Sequence, residues 1–209
     1  MRWRGLNLSK IRENRLHLGS FDNVVEGWVN TDISPHITLA KIPLGADIAF
    51  RFGKLSQEQF RNHKNGLWKR VHRLDVSRKF PFDNNSFSSI YSSHVLEHLP
   101  RQVAQVFVEE SVRVLSVSGV FRIAVPDLDA VVLSYDPSNP DATLEKIFEL
   151  QERDRNRHWW MYNEISLARL LLKSGFTRVR RFGFLEGKMP GLTAIETRPG
   201  SLFMEAYKT

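Results

Sequence analysis

Ser92-Ser93-His94-Val95-Leu96-Glu97-His98-Leu99-Pro100 decides how the rest of the chain is read, because it admits two secondary structures. As a helix, it would set His94 and His98 on one face, a spacing that suits zinc, with Glu97 as general base. As the end of a strand, it would deliver His94 to the place where open α/β sheets put ligands and catalytic groups. The flanks favour the strand. The turn signal Asp83-Asn84-Asn85 precedes a run from Phe87 to Ser93 (FSSIYSS) with strand character, and Pro100 interrupts any helix at once.

Working outward, short apolar runs alternate with helical patterns, which predicts an α/β domain with a mainly parallel sheet. Arg15 to Gly19 reads as the first strand and Trp28 to Asp32 as the second, closed by Ser34-Pro35. Gln57 to about Asn65 reads as helix, and Arg70 to Leu74 as the third strand. Phe87 to Ser93 is the fourth. Arg101 to Leu115 is a helix with Val103, Val106, Phe107 and Val114 at helical spacing, and Val120 to Val125 is the fifth strand, stopped by Pro126-Asp127. Thr143 to about Asp154 reads as helix, with Leu144, Ile147, Phe148 and Gln151 along one face. Asn163 is the N-cap of a helix through Lys173 that Gly175 terminates. Thr177 to Phe184 and Ser201 to Lys208 then close a sheet of seven strands.

Composition narrows the function classes. The 209 residues fit a single domain with a real core, at 42% apolar and 25% charged residues. No apolar run approaches the roughly 20 residues needed to span a bilayer, and no apolar stretch follows the basic start Met1-Arg2-Trp3-Arg4, so the cytoplasm is the expected location. Cysteine is absent, which removes thiolate chemistry and leaves only His or carboxylate ligands for any metal; none is expected. The net charge of +7 is concentrated between Arg51 and Lys79, where Lys54, Arg61, Lys64, Lys69, Arg70, Arg73 and Arg78 face only Glu58 and Asp75. That stretch, a basic insertion at about 50–70 and its continuation, reads either as a solvated face or as a patch for an anionic partner. Nucleic acid is the less favoured partner, since Trp68 stands almost alone as an aromatic there.

The strand ends carry the chemistry. A glycine after the first strand, Leu18-Gly19-Ser20, lets backbone approach a ligand, and Asp32 after the adjacent strand offers a carboxylate for ribose hydroxyls. In order follow Asp75, FPFDNNSF at 80–87, HVLEHL at 94–99, Val125-Pro126-Asp127, and Lys173-Ser174-Gly175-Phe176. This order resembles that of the class I S-adenosylmethionine-dependent methyltransferases, in particular small proteins of the methyltransferase 11 type, over roughly residues 15–208. The resemblance implies a Rossmann-like seven-stranded, mainly parallel sheet with helices on both faces, and S-adenosyl-L-methionine as cofactor. It implies that Gly19 and Ser20 contact the cofactor's methionine portion, Asp32 its ribose, and Asp75 with Val76 its adenine. Ser93 and His94 would then lie near the reactive methyl. For a hydroxyl acceptor, His94 is the candidate base, since its unperturbed pKa lies near neutrality. The cluster Arg157-His158-Trp159-Trp160-Met161-Tyr162 suits an acceptor pocket, with Arg157, His158, Trp160 and Tyr162 as contacts, in an acceptor-side region at about 128–162. Relatives of this type imply a small-molecule or glycan-type acceptor.

Three departures stand out. Phe21 occupies a position where the family loop has another glycine, His17 replaces the usual acid of the first strand, and the connection from Gly19 to Trp28 is too short for the usual helix. Two other readings follow from the residues. One is a non-catalytic module of the same fold that binds an anionic partner through residues 51–79, which Phe21 and the short connection favour. The other is an inverted zinc peptidase on His94, Glu97 and His98, with Glu164 as a third ligand, which the strand reading of 87–93 and Pro100 disfavour.

Overall fold

Along the strands, alternate residues are apolar, and the two faces of the sheet therefore receive different partners. The computed structural model describes residues 14–148 and 157–209. Its strands are β1 (Arg15–Leu18), β2 (Val29–Asp32), β3 (His72–Arg73), β4 (Phe87–Ser93), β5 (Leu115–Pro126), β6 (Arg178–Phe182) and β7 (Ser201–Tyr207). They form one sheet in the order β3-β2-β1-β4-β5-β7-β6, parallel except for β7, which runs antiparallel to both neighbours. The helices are α1 (His36–Leu39), α2 (Gly45–Arg51), α3 (Gln57–Lys64), α4 (Arg101–Val114), α5 (Leu128–Leu133), α6 (Pro140–Phe148), α7 (Glu164–Lys173) and α8 (Leu192–Ile195).

The expected seven strands are all present, β4 with the bounds read from the sequence. The third is shorter than expected because Leu67–Arg70 winds into a 3-10 turn after the αL residue Gly66. α1, α2, α5 and α8 were not legible, being four to seven residues long and without a full apolar period. The helix expected from Thr143 begins earlier, at Pro140, and the part towards Asp154, including Gln151, lies outside the described residues.

One face of the sheet carries Leu16, Leu18, Val29, Ile90, Phe121, Ile123, Val125, Leu202 and Met204, buried against Ala104, Phe107, Val108 of α4 and Leu167, Leu171 of α7. α7 starts at Asn163 with a reciprocal capping box to Ser166, which fixes where the helix docks. The opposite face bears His17, Tyr91, Arg122, Glu205 and Tyr207. No helix joins β1 to β2 to cover it; Asn30 instead folds that connection, accepting from Val25 N–H (3.1 Å) and donating to the carbonyls of Val25 and Trp28 (2.9 Å each).

The long connection between β6 and β7 supplies the missing layer. Its Met189, Leu192 and Ile195 pack on Trp28 and Tyr91, and Asn23 donates to Ile195 O at 2.9 Å. Arg122, fully buried, pins this layer down. Its guanidinium meets both oxygens of Glu196 (2.6 and 3.0 Å), Glu205 (3.4 Å), and the carbonyls of Glu186 and Gly183. The segment is thus a locked cover over this face of the sheet.

Candidate active site

β1 leads to β2 on one side of the sheet and β4 leads to β5 on the other, so the switch point lies between the C-terminal ends of β1 and β4. Crevices at such points bind ligands in open α/β sheets. Gly19 turns the chain at the end of β1 with φ +71°, and a methyl group on it would overlap Val95 Cγ2. His94 turns the chain at the end of β4 with φ +53°, while its N–H still donates to Ala124 O (2.9 Å). Non-glycine residues held in this region cost of order 1–3 kcal/mol and cluster at functional sites.

His94 is part-buried between two groups. Its Nε2 lies 2.9 Å from Ser201 Oγ, and its Nδ1 lies 3.1 Å from Oε1 of the fully buried Glu97. The ring also lines a cleft of about 500 Å³, whose walls include Pro126, Asp127, Val131, Lys146, Arg198 and Ser201. Asp127 is held from behind, accepting from Arg181 (2.9 Å) and from Asp129 N–H.

On the β2 side, Asp32 accepts Phe21 N–H through Oδ2 (3.0 Å) and Ser34 N–H through Oδ1 (2.7 Å). Phe21 adopts φ +42°, and its ring leans edge-on against Trp68 (5.2 Å) and His36 (6.2 Å). The ring is therefore held on the β2–β3 side of the crevice. Ser20 is buried, its Oγ without a hydrogen-bond partner among the described residues. Asp75 is committed to its own turn: Oδ1 accepts from Ser77 N–H and Oγ–H, and Oδ2 faces Arg78 at 3.1 Å. Burial pushes this carboxyl up, but the Ser77 bonds and the Arg78 charge outweigh it and hold the pKa below the usual range.

Residues 34–123 match the sequence model of the family described as Methyltransferase domain. The match begins just after Asp32, so it excludes the stretch where Phe21 and the helixless connection depart from the common pattern. Similar solved structures include a Thermotoga maritima S-adenosylmethionine-dependent methyltransferase described as a possible histamine N-methyltransferase (15% identity, TM-score 0.51, covering 94% of this chain and 82% of that one). PigF with S-adenosylhomocysteine is another (13%, TM-score 0.52, 94% and 50%). A third is the methyltransferase bound to the Trm112 activator of Haloferax volcanii (14%, TM-score 0.50, 96% and 86%). At these identities the likeness is one of fold. No curated protein sequence matches the chain significantly. Family match and fold agree. The chain thus carries a methyltransferase-domain match over residues 34–123 within a fold similar to that of S-adenosylmethionine-dependent methyltransferases.

The residues at the crevice fit S-adenosylmethionine. A buried hydroxyl without a partner at Ser20 and a half-exposed carboxylate at Asp32 with lone pairs beyond its two backbone bonds are the donor and acceptor set that an amino-acid end and a ribose require. Gly19 supplies the close backbone approach. Val76 packs at the edge of the main core beside the Asp75 turn. Ser93 ends β4 two residues after Tyr91, whose ring lies on the face covered by the β6–β7 connection.

The side chains of the 157–162 cluster are dispersed in the structure. Arg157 stacks on exposed Trp159 (3.8 Å), and Arg101 on exposed Trp160 (4.4 Å). Tyr162 is a core residue, and burial raises its hydroxyl pKa to about 12. His158 Nδ1 meets Ile147 O (3.2 Å), with its ring 5.0 Å from that of His98. Arg157, His158, Trp160 and Tyr162 do not line the His94 cleft; Lys146, Arg198 and Ser201 do, and no local sequence pattern marks them.

His94 and His98 do not share a helical face. β4 runs to Ser93, His94 is left-handed, and only a 3-10 turn spans Leu96–His98. Glu164 faces Arg181. The peptidase arrangement is absent.

In the basic stretch, Lys64 pairs with Asp47 (2.7 Å), Arg78 with Asp75, and Arg73 donates to Ile33 O (3.2 Å). Part of the positive charge is thereby neutralised locally. No helix of the described residues is long and apolar enough to cross a membrane.

Proposed function

We propose that this methyltransferase acts on a hydroxyl or similar nucleophile of a small-molecule or glycan-type acceptor that carries an anionic group. One observation carries this reading: His94, at the switch point, walls a cleft whose other polar lining includes Lys146 and Arg198. Two cations at the mouth of a partly apolar cleft suit a phosphate or carboxylate on the acceptor.

Gly19 and Ser20 would hold the cofactor's methionine portion, Asp32 its ribose, and Asp75 with Val76 its adenine, leaving Ser93 and His94 nearest the methyl. S-adenosylmethionine supplies an electrophilic sulfonium methyl. With the Nδ1 edge of His94 3.1 Å from Glu97 Oε1, Nε2 would carry the lone pair that takes the acceptor's proton. The Glu97 carboxylate at 3.1 Å then stabilises the imidazolium that results. Ser201 Oγ also reaches Arg198 O (3.1 Å), so its O–H can turn to that carbonyl and leave Nε2 to the acceptor. Alignment of the two reactants supplies much of the rate.

Titration calorimetry with S-adenosylhomocysteine tests the cofactor side: binding by the wild-type chain, lost in Asp32→Ala. Absence of binding at millimolar ligand would sink the reading. Labelled-methyl transfer to a panel of hydroxyl acceptors tests the other side. Phosphorylated or carboxylated members should be preferred, and Lys146→Ala or Arg198→Ala should raise their KM about tenfold. Equal use of uncharged acceptors would remove the anionic group from the proposal.

A further inference from the structure

Behind His94, on the side away from the cleft, Glu97 is fully buried; His94 Nδ1 approaches Oε1 to 3.1 Å without hydrogen-bond geometry, and neither carboxylate oxygen has a hydrogen-bond partner among the described residues. A buried carboxylate in that condition is costly unless it is charge-paired or coordinates a cation. One oxygen of Glu97 and one ring nitrogen each of His98 and His158 lie within 4.8 Å of one another. The two histidines come from segments far apart in sequence, and the fold brings them together.

Both rings are already oriented. His98 Nδ1 stands 3.2 Å from Arg157 O, and His158 Nδ1 stands 3.2 Å from Ile147 O. A carbonyl can only accept, so each Nδ1 carries the proton and each Nε2 carries the lone pair. Ligating histidines are fixed in this way, the far N–H donating to a backbone carbonyl while the other nitrogen binds the ion. The main chain is tied across the same point, because Trp159 N–H donates to Glu97 O at 2.7 Å.

We propose that Glu97, His98 and His158 form a binding site for a divalent first-row transition ion, with zinc the best match to two imidazoles and one carboxylate. The site is distinct from the disfavoured peptidase set: it omits His94 and takes its second histidine from the 157–162 segment. The ion would clip that segment to the turn following β4. It would also hold Glu97 in place behind His94, whose Nδ1 lies 3.1 Å from Oε1. Arg101 and Arg157, which lie close to the cluster in sequence, are both stacked on tryptophans.

The test uses the full chain, freed of any affinity tag, stripped with chelator and titrated with Co²⁺ and then Zn²⁺. One equivalent of Co²⁺ should bind with the visible absorption bands of a low-coordinate nitrogen–oxygen site, and Zn²⁺ should displace it. Zn²⁺ should also raise the melting temperature. His98→Ala and His158→Gln, each checked for native circular dichroism, should lose at least tenfold in affinity and lose the bands. A wild-type chain that binds less than one equivalent at micromolar ion would overturn the site, as would unchanged affinity in both variants. S-adenosylhomocysteine binding, measured on the same samples, reports the methyltransferase reading independently.

Discussion

Gly19 and His94 illustrate how single positions set up the crevice. A side chain at Gly19 would meet Val95 and would have to adopt a positive φ, so Gly19→Ala is expected to destabilise the fold by about 1–3 kcal/mol, measured by urea unfolding. His94 bears strain of its own in exchange for placing Nε2 in the cleft. His94→Gln should lower kcat by about 10²–10⁴ while leaving S-adenosylhomocysteine affinity within twofold. A loss of cofactor binding in that variant would make His94 a cofactor contact and not the base. The position of His94 at a strand end was legible, because the run Phe87–Ser93 and its ending are local in sequence. Its partners were not: Ser201 is distant in sequence, and only the antiparallel pairing of β7 with β5 brings it alongside.

Among the elements, the connection from β6 to β7 does the work usually given to a helix. Its hold on the sheet is the buried Arg122 with Glu196 and Glu205, the latter also receiving the Tyr207 hydroxyl and the N–H groups of Lys188 and Met189. Removing the guanidinium strands two carboxylates out of water. Arg122→Met should therefore cost about 3–5 kcal/mol in chemical unfolding, and adding Glu196→Gln and Glu205→Gln should recover part of it. Failure of the added changes to recover stability would mean that packing, not charge, is what Arg122 supplies. α7 is simpler. Its capping box at Asn163 predicts a loss of about 1 kcal/mol in Asn163→Ala. That cap could be read directly from the sequence, because a cap and its helix are neighbours. The Arg122 network could not, since its members lie on three separate segments whose meeting depends on strand order.

At the level of the whole molecule, the buried face opposite α4 and α7 makes stability sensitive to acid. Burial pushes His17 down from 6.5 to about 4, with a hydrogen bond to Asn30 opposing the shift. The unfolded chain then binds the proton more readily than the native one between those values, so this stability is complete above about pH 6.5 and lost as pH falls towards 4. The loss is on the order of 3 kcal/mol at most. His36, His63 and His72 are shifted the same way, chiefly by burial, and add to the effect. Urea midpoints between pH 4 and 7 should fall with acid in the wild type and fall less steeply in His17→Gln; equal slopes would assign the effect to other groups. In the sequence, His17 reads only as a replacement for a carboxylate. Packed edge-on to Tyr91 at 5.3 Å, it is a core residue of a sheet face that has no helix between β1 and β2 to cover it. The sequence by itself determined the seven strands along the chain and the placing of Gly19, Asp32 and His94 at strand ends, because each of these is written in a local run and its ending. The tertiary structure alone decided what faces them: the cleft of Lys146, Arg198 and Ser201, the dispersal of 157–162, and the meeting of Glu97, His98 and His158. Those are contacts between distant segments, fixed by which strands pair and what covers them, and no local pattern encodes them.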